Sequence, residues 1–221
     1  MKLHCSHGLL WGNKSYLSGK VFPIILGIIN TGHKVKYLRL DNAGENWDLE
    51  NKCLHHLLGI NFEYTTPNTP QFNGVVERKF QSIYNKLRAT LFESGLTYEL
   101  SNLLWDECAS TVTTLDNICV GKRNKKSPHE LFYKEKPKIA NNLRIFGEIG
   151  IVKNYKLKHK LHKKGDHMIF IGYPERHSSS SYRMYNVGTG GICISRYILV
   201  EQELQSCLIS GFQTEYIQST K

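Results

Sequence analysis

Two features that are absent from this 221-residue sequence limit the classes of protein to which it can belong. Its six cysteines include no Cys-x-x-Cys pair, so we expect reduced thiols in an intracellular protein and not a disulfide framework. The longest apolar run, residues 21–29, is too short to span a bilayer, and the mixed polar residues before it do not resemble a signal peptide. We therefore expect no membrane segment.

A third absence concerns the N-terminal part of the chain. Residues 1–40 contain no Asp and no Glu. His4, Cys5 and His7 could suggest a metal site, but a structural zinc site needs four ligands and no second pair follows. No zinc is expected here, and residues 1–33 are an uncertain segment. Within it, residues 21–30 are consistent with the end of a helix that Gly32 closes.

The charge of the chain is strongly one-sided. It carries 29 Lys and Arg against 19 Asp and Glu, a net charge of +10, and its pI is about 9.3. An excess of this size favours an anionic partner, most simply a nucleic acid. A generically basic protein is an equal alternative on charge alone.

Two carboxylates stand out in the stretch from Tyr37 to Arg88. Asp41 follows an alternating apolar run and is predicted to lie at the carboxyl end of a strand. Glu77 is predicted to lie in the first turn of a helix that opens after the turn-rich segment TTPNTPQFNG. Carboxylates in two such positions can hold Mg²⁺, which takes oxygen ligands and leaves room for phosphate oxygens. An exposed acid near a helix N-terminus, favoured by the helix dipole, is the structural alternative for Glu77.

The elements around this pair follow from periodicity. A helix over residues 47–58 is predicted to bury one face, and a strand over 60–65 to run parallel to the Asp41 strand because a helix connects them. In the Glu77 helix an apolar stripe recurs at helical spacing, and Gln81, Tyr84 and Arg88 fall within about 40° of Glu77. The predicted faces consist of Leu49, Cys53, Leu54, Leu57 and Leu58, and of Val76, Phe80, Ile83, Leu87 and Leu91.

After a helix over about 98–119 and a short helical turn over 128–133, the pattern changes. Short β-type runs follow at 144–152, 167–173, 181–186 and 191–200, separated by turn signals. This spacing predicts a small antiparallel barrel. Residues 137–143 are predicted to be a linker, and residues 203–221 a tail.

The acidic pair and the segments around it resemble a known family. The run LRLDNAGEN, the segment TPNTPQFNGVVERK and the 35 residues between Asp41 and Glu77 are similar to a DDE integrase core of the Copia-type LTR retrotransposons. Further matches follow in the family's order: SPHELFYKEKP, LRIFGEIG, IFIGYPE, SYRMYN and ISRYILVEQ. The resemblance covers roughly residues 34–202.

The resemblance implies a fold and a domain plan. The chain would be α/β: the C-terminal part of an RNase H-like integrase core over 34–136, with two parallel strands and helices, and an SH3-like small β-barrel over 144–202. It also implies a polynucleotidyl transferase that inserts element DNA ends into target DNA with Mg²⁺ or Mn²⁺. Such a protein would act in the nucleus or in a virus-like particle, with DNA as its partner and as a homo-oligomer.

The resemblance assigns roles residue by residue. Asp41 and Glu77 would be the catalytic metal ligands. Asn73 would shape the turn that aims Glu77, and the basic residues of the following helix would position DNA; these are Arg78, Lys79 and Arg88. A lysine-rich loop favours phosphate contact without base reading, or else is a solvated charge run; its lysines are Lys153, Lys156, Lys158, Lys160, Lys163 and Lys164. The basic loop 121–127 leaves the same two alternatives open.

One departure from the family affects activity. The family places its first catalytic Asp on an earlier strand, and residues 1–40 contain no counterpart. With two of three acids, this polypeptide alone is expected to show little or no strand transfer, and its core to be marginally stable. The alternatives are a non-catalytic DNA-binding remnant, a domesticated protein or the translation of a decayed element.

Overall fold

The computed structural model describes residues 17–40, 45–64, 74–121, 125–153, 164–175, 177–196 and 198–200. The chain divides into two compact units, one over Met1–Gln81 and the other over Ser82–Lys221. The division falls within one helix.

The first unit is built on two short parallel strands and two helices. Helix α1 spans Leu17–Asn30, strand β1 Tyr37–Leu40, helix α2 Glu45–His55 and strand β2 Asn61–Tyr64. The two strands pair in parallel with Leu40 opposite Tyr64, so their carboxyl ends lie side by side. This confirms the parallel pair predicted from the intervening helix. Gly32, at φ +82°, closes α1 as expected.

The core of the first unit lies on one face of the strand pair. Ile25, Leu49, Cys53 and Ile60 are buried there, and alternate strand residues such as Leu38 and Phe62 pack against them. The opposite face is exposed and carries Tyr37, Arg39, Asn61 and Glu63. Parallel sheets are usually covered on both faces, so this face lacks the covering layer among the described residues.

Part of the predicted α2 face is wrong. Leu49 and Cys53 are fully buried, but Leu54 is 60% and Leu57 91% exposed. Leu57 lies beyond the end of the helix at His55 and adopts a positive φ of 50°. Leu54 lies within the helix, but about 140° around it from the buried Leu49, so it is off the buried face.

Helix α3 spans Gly74–Glu93 and crosses the division between the units. Ile83 and Leu87 of its predicted stripe are buried, whereas Val76 and Phe80 are about half exposed. The stripe is therefore buried in its central part only.

The second unit continues with helix α4 over Tyr98–Ile118 and helix α5 over Pro128–Tyr133. Thr97 caps α4 by accepting a hydrogen bond from the Leu100 N–H. Ser127 and Glu130 form a capping box at the start of α5, with Pro128 at its first position. A short 3₁₀ helix, Lys138–Asn142, occupies the predicted linker.

Five strands form the antiparallel sheet of the second unit. They are β3 (Ile149–Lys153), β4 (Gly165–Gly172), β5 (Tyr182–Tyr185), β6 (Ile192–Ser195) and β7 (Ile198–Val200), in the order β6-β5-β4-β3-β7. The sequence predicted four runs, and the last one, 191–200, is divided into β6 and β7. Strand β3 begins five residues later than predicted, because 144–148 form a loop and turn.

Strand order and chain connectivity together require this sheet to curl. Strands β6 and β7 stand at opposite edges, which in a flat sheet would be about 19 Å apart at ~4.8 Å per strand. Only three Cα steps separate Ser195 from Ile198, and these can span at most about 11 Å. The two edges must therefore approach each other where β6 ends and β7 begins.

Both faces of the central strand β4 are buried. Met168 and Phe170 join Val152, Tyr182 and Met184 in a core cluster, while Ile169 and Ile171 alternate onto the other face. Helix α4 packs against β4, and the Thr111 hydroxyl donates a hydrogen bond of 2.9 Å to the carbonyl of Ile171. Helix and sheet thus form one packed unit, and the sequence-based boundaries at 136 and 144 stay a prediction.

No helix within the described ranges is long and apolar enough to cross a membrane.

Candidate metal and nucleic-acid sites

Glu77 lies where the sequence predicted it. Helix α3 begins at Gly74, which places Glu77 in its first turn, and the side chain is exposed. A carboxylate in this position faces the positive end of the helix dipole. The Glu77 carboxylate is therefore accessible to a ligand. This exposure is compatible both with metal binding and with the structural alternative, an acid that only interacts with the helix dipole.

The two residues that would complete this site lie outside the described residues. Strand β1 ends at Leu40, one residue before Asp41, and α3 begins one residue after Asn73.

Basic residues follow Glu77 on α3. The Arg78 Nε atom donates a hydrogen bond of 2.9 Å to the carbonyl of Gly74, which orients its side chain back along the helix start. Lys79 is half-buried, and Arg88 is exposed in the second unit. All three predicted DNA contacts of this helix stay predictions.

Two of the acids close to Asp41 in sequence, Asp48 and Glu63, have structural partners. Asp48 accepts hydrogen bonds from Lys52 (2.8 Å) and from Ser18, joining α2 to α1, and the Lys52 bond is the main reason that its pKa is lowered. Glu63 pairs with Arg39 across the two strands at 2.7 Å. Both acids are thus accounted for by packing of the first unit.

A polar contact that the sequence did not predict lies at the carboxyl end of β2. The Tyr64 hydroxyl donates to Glu50 Oε2 at 2.6 Å. Burial, and then the Glu50 carboxylate, raises the pKa of Tyr64 to about 12, so the phenol keeps its proton. Alternation along β2 places Tyr64 on the same face as Phe62, which was the signal available in the sequence. Tyr64 lies opposite Leu40, beside the strand end that Asp41 follows.

The lysine-rich loop is described at its two ends. Lys153 is the last residue of β3, Lys164 precedes β4, and both side chains are exposed. The remaining predicted contacts, Lys156, Lys158, Lys160 and Lys163, lie outside the described residues. In the antiparallel pair of β3 and β4, Lys153 lies opposite Gly165, the residue after Lys164. The two described lysines therefore lie at the two ends of the loop that connects these strands.

The donor chemistry of the predicted metal site is that of a hard cation. Asp41 and Glu77 would both supply carboxylate oxygens, which suit Mg²⁺ and Mn²⁺. Among the described residues no group of three His, Cys, Asp or Glu side chains could hold a metal ion. The described part of the chain thus contributes Glu77 alone.

These observations define a mixed α/β chain with a parallel strand pair in one unit and a helix-backed antiparallel sheet in the other. No protein-family model matches it. Over 159 residues, 71% of the chain, it is 33% identical to the "Retrovirus-related Pol polyprotein from transposon TNT 1-94" of Nicotiana tabacum. The chain spans about a tenth of that polyprotein, 11% of its length. The expected similarity to a retrotransposon protein is confirmed at this coarser level.

A solved structure was also matched, the "CryoEM structure of simian T-cell lymphotropic virus intasome in complex with PP2A regulatory subunit B56 gamma". The match covers 80% of this chain and 61% of that chain, at 14% identity and a TM-score of 0.37. At that TM-score the likeness carries no argument about fold or function.

Proposed function

We propose that this chain is part of a Copia-type retrotransposon integrase that acts on DNA, with an RNase H-like core segment and an SH3-like barrel. The observation that carries the proposal is the 33% identity over 159 residues to a transposon Pol polyprotein. The exposed Glu77 in the first turn of α3 and the parallel β1–β2 pair support it. The curl that β6 and β7 impose on the sheet supports the barrel.

In this proposal Asp41 and Glu77 hold Mg²⁺ or Mn²⁺. When bound, such an ion would activate a DNA 3′-hydroxyl and stabilise charge on the attacked phosphate. The chain's own contribution is positional: Gly74 starts the helix that presents Glu77, and Arg78 is oriented by its bond to the Gly74 carbonyl. The exposed lysines and Arg88 would contact DNA phosphates.

Mn²⁺ binding tests the assigned ligands. Glu77→Gln should weaken binding of Mn²⁺ to the full chain by about tenfold, because an amide is a poorer ligand for a hard cation than a carboxylate. Glu93→Gln is the matched control, since Glu93 is an exposed acid at the other end of the same helix. Calorimetric titration in which both variants bind like the parent would contradict the assignment.

Oligonucleotide joining tests the activity. Residues 1–40 offer no acid to match the family's first Asp, so the chain alone should show background joining with Mg²⁺ or Mn²⁺. Robust joining by this chain that Glu77→Gln abolishes would contradict the expected inactivity.

A second candidate function is DNA binding without catalysis, favoured by the net charge of +10. It predicts salt-sensitive DNA binding that survives both Asp41→Asn and Glu77→Gln, while replacing the lysines of 153–164 weakens it. Loss of DNA binding in the carboxylate variants in the presence of Mn²⁺ would favour the first function over the second.

A further inference from the structure

Helix α5 carries a cluster of aromatic side chains on its surface. The Tyr133 ring contacts the rings of His129 and Phe132, with the centroids 4.7 Å apart in each case. The Phe132 contact is edge-on and the His129 contact tilted, so two neighbouring rings pack against the Tyr133 ring. It is nevertheless 51% exposed. An aromatic ring that is fixed and open to solvent can take a flat partner.

Exposed lysines flank this helix in the sequence on both sides. Lys125 and Lys126 precede the helix, and Lys134 and Lys136 follow it, all with exposed side chains. The helix has six residues, about 9 Å in length, so both lysine pairs lie close to the rings. One of the two nearby acids, Glu130, accepts a hydrogen bond from the Ser127 N–H at 2.9 Å in the capping box, and the other, Glu135, is exposed.

The backbone holds two of these lysines in an unusual conformation. Lys125 has φ +49° and Lys134 φ +64°, and they are two of the three non-glycine residues with positive φ among those described. The C-cap position of Lys134 is one that glycine usually occupies, because a side chain there is strained. Lysine at both positions places charge where the backbone favours glycine or asparagine.

We propose that this α5 surface, made of Lys125, Lys126, His129, Tyr133, Lys134 and Lys136, binds single-stranded nucleic acid. A base stacks on Tyr133, and the lysines contact the phosphates on either side. In a duplex the faces of the bases are stacked on one another and cannot stack on Tyr133. A duplex could therefore contact this surface only through its phosphates and the lysines. The surface lies apart in sequence from Asp41 and Glu77, and the inference does not depend on their role.

The test is fluorescence anisotropy of the full chain with labelled oligo-dT of 20 nucleotides and, separately, with a mixed-sequence duplex. Tyr133→Ala should raise the Kd for oligo-dT by about tenfold, as loss of one stacked base does. Tyr133→Phe keeps the ring and should bind within about twofold of the parent. Tyr98→Ala is the matched control, because Tyr98 is 78% exposed and precedes Glu99 instead of lysines.

The salt dependence of oligo-dT binding distinguishes the contribution of the Tyr133 ring from that of the lysines. Lys125→Gln with Lys126→Gln should lower the slope of log K against log salt by about 1.4, at roughly 0.7 per phosphate contact on a single strand. Tyr133→Ala should leave that slope unchanged, since stacking releases no counterions.

Three results would overturn the proposal: unchanged oligo-dT binding by Tyr133→Ala, an equal loss on the duplex, or an equal loss in Tyr98→Ala. The Mn²⁺ titration does not involve Tyr133, so failure of this proposal and failure of the metal site are distinguishable.

Discussion

At the scale of single residues, the acids of this chain fall into paired and exposed groups. Glu63 and Glu107 are matched by arginines, whereas Glu77 is exposed at a helix start. The position of Glu77 was predictable, because the turn residues before Gly74 give a local signal for a helix start. The Glu107–Arg183 pair was not, because its partners are 76 residues apart and meet only through packing.

Glu107 should give the chain a pH-dependent stability. Burial raises the pKa of its carboxyl above the ordinary 4.5, although the Arg183 guanidinium opposes the rise and Asp106 adds to it. The folded state therefore holds this proton more tightly than the unfolded chain. The resulting stabilisation is present below the unfolded pKa and is lost as pH rises through the folded pKa.

The comparison is between the parent and Glu107→Gln, which cannot titrate. The free energy of unfolding of the parent relative to this variant should fall as pH rises from below the ordinary value of 4.5 to above it. Urea unfolding at several pH values measures it, with Glu135→Gln as an exposed-acid control. A difference that stays constant or grows over this range would contradict the sign.

At the scale of elements, local patterns predicted more than packing did. The parallel strands, the start of α3 and the approximate span of α4 follow from periodicity and turn residues. The burial of Leu57 was mispredicted because a helical wheel does not reveal where a helix ends, and that of Leu54 because it lies off the buried face of α2. The packing of α4 on β4 depends on contacts such as Thr111 with Ile171, which no local pattern contains.

Gly147 marks a close approach within the second unit, where the loop before β3 meets the turn between α3 and α4. It has φ +86°, and a Cβ there would lie 2.6 Å from Ser94 Cβ and 3.2 Å from the Ser94 carbonyl oxygen. Gly147→Ala should therefore lower the free energy of unfolding by about 3 kcal/mol, through backbone strain and overpacking together.

Gly190→Ala separates these two causes. Gly190 also has a positive φ, +68°, but its nearest neighbour to a new Cβ is the Tyr185 hydroxyl at 4.0 Å. This variant should lose only about 1 kcal/mol, the backbone cost alone. Both free energies of unfolding are measured by urea unfolding. Equal losses in the two variants would show that the close contact with Ser94 adds nothing to the cost of Gly147→Ala.

At the scale of the whole molecule, the helix-backed sheet is the part with buried residues on both faces of its central strand. The first unit leaves one face of its strand pair exposed among the described residues. Helix α4 and the sheet belong to one compact unit, Ser82–Lys221, and the predicted boundaries at 136 and 144 stay a prediction. The contact of α4 with β4 could not be predicted from the sequence, because Thr111 and Ile171 are 60 residues apart and meet only through packing.

Two fragments of the chain distinguish the division by contacts, at residue 82, from the predicted boundary at residue 144. A fragment of residues 82–221 should unfold in one cooperative thermal transition, because it keeps α4 over Ile169 and Ile171. A fragment of residues 144–221 should be much less stable, since it lacks α4, which covers the buried Ile169 and Ile171 of β4. Equal melting temperatures for the two fragments, by circular dichroism, would contradict this and favour the sequence-based boundary.

The central claim is that Asp41 and Glu77, with 35 residues between them, hold one ion. A double-mutant cycle of Mn²⁺ affinity over Asp41→Asn and Glu77→Gln tests it most directly. If both carboxylates bind the same ion, each single substitution should cause nearly the full loss, and the double variant should lose little more. Additive, independent losses, or no loss from Glu77→Gln, would contradict a shared site.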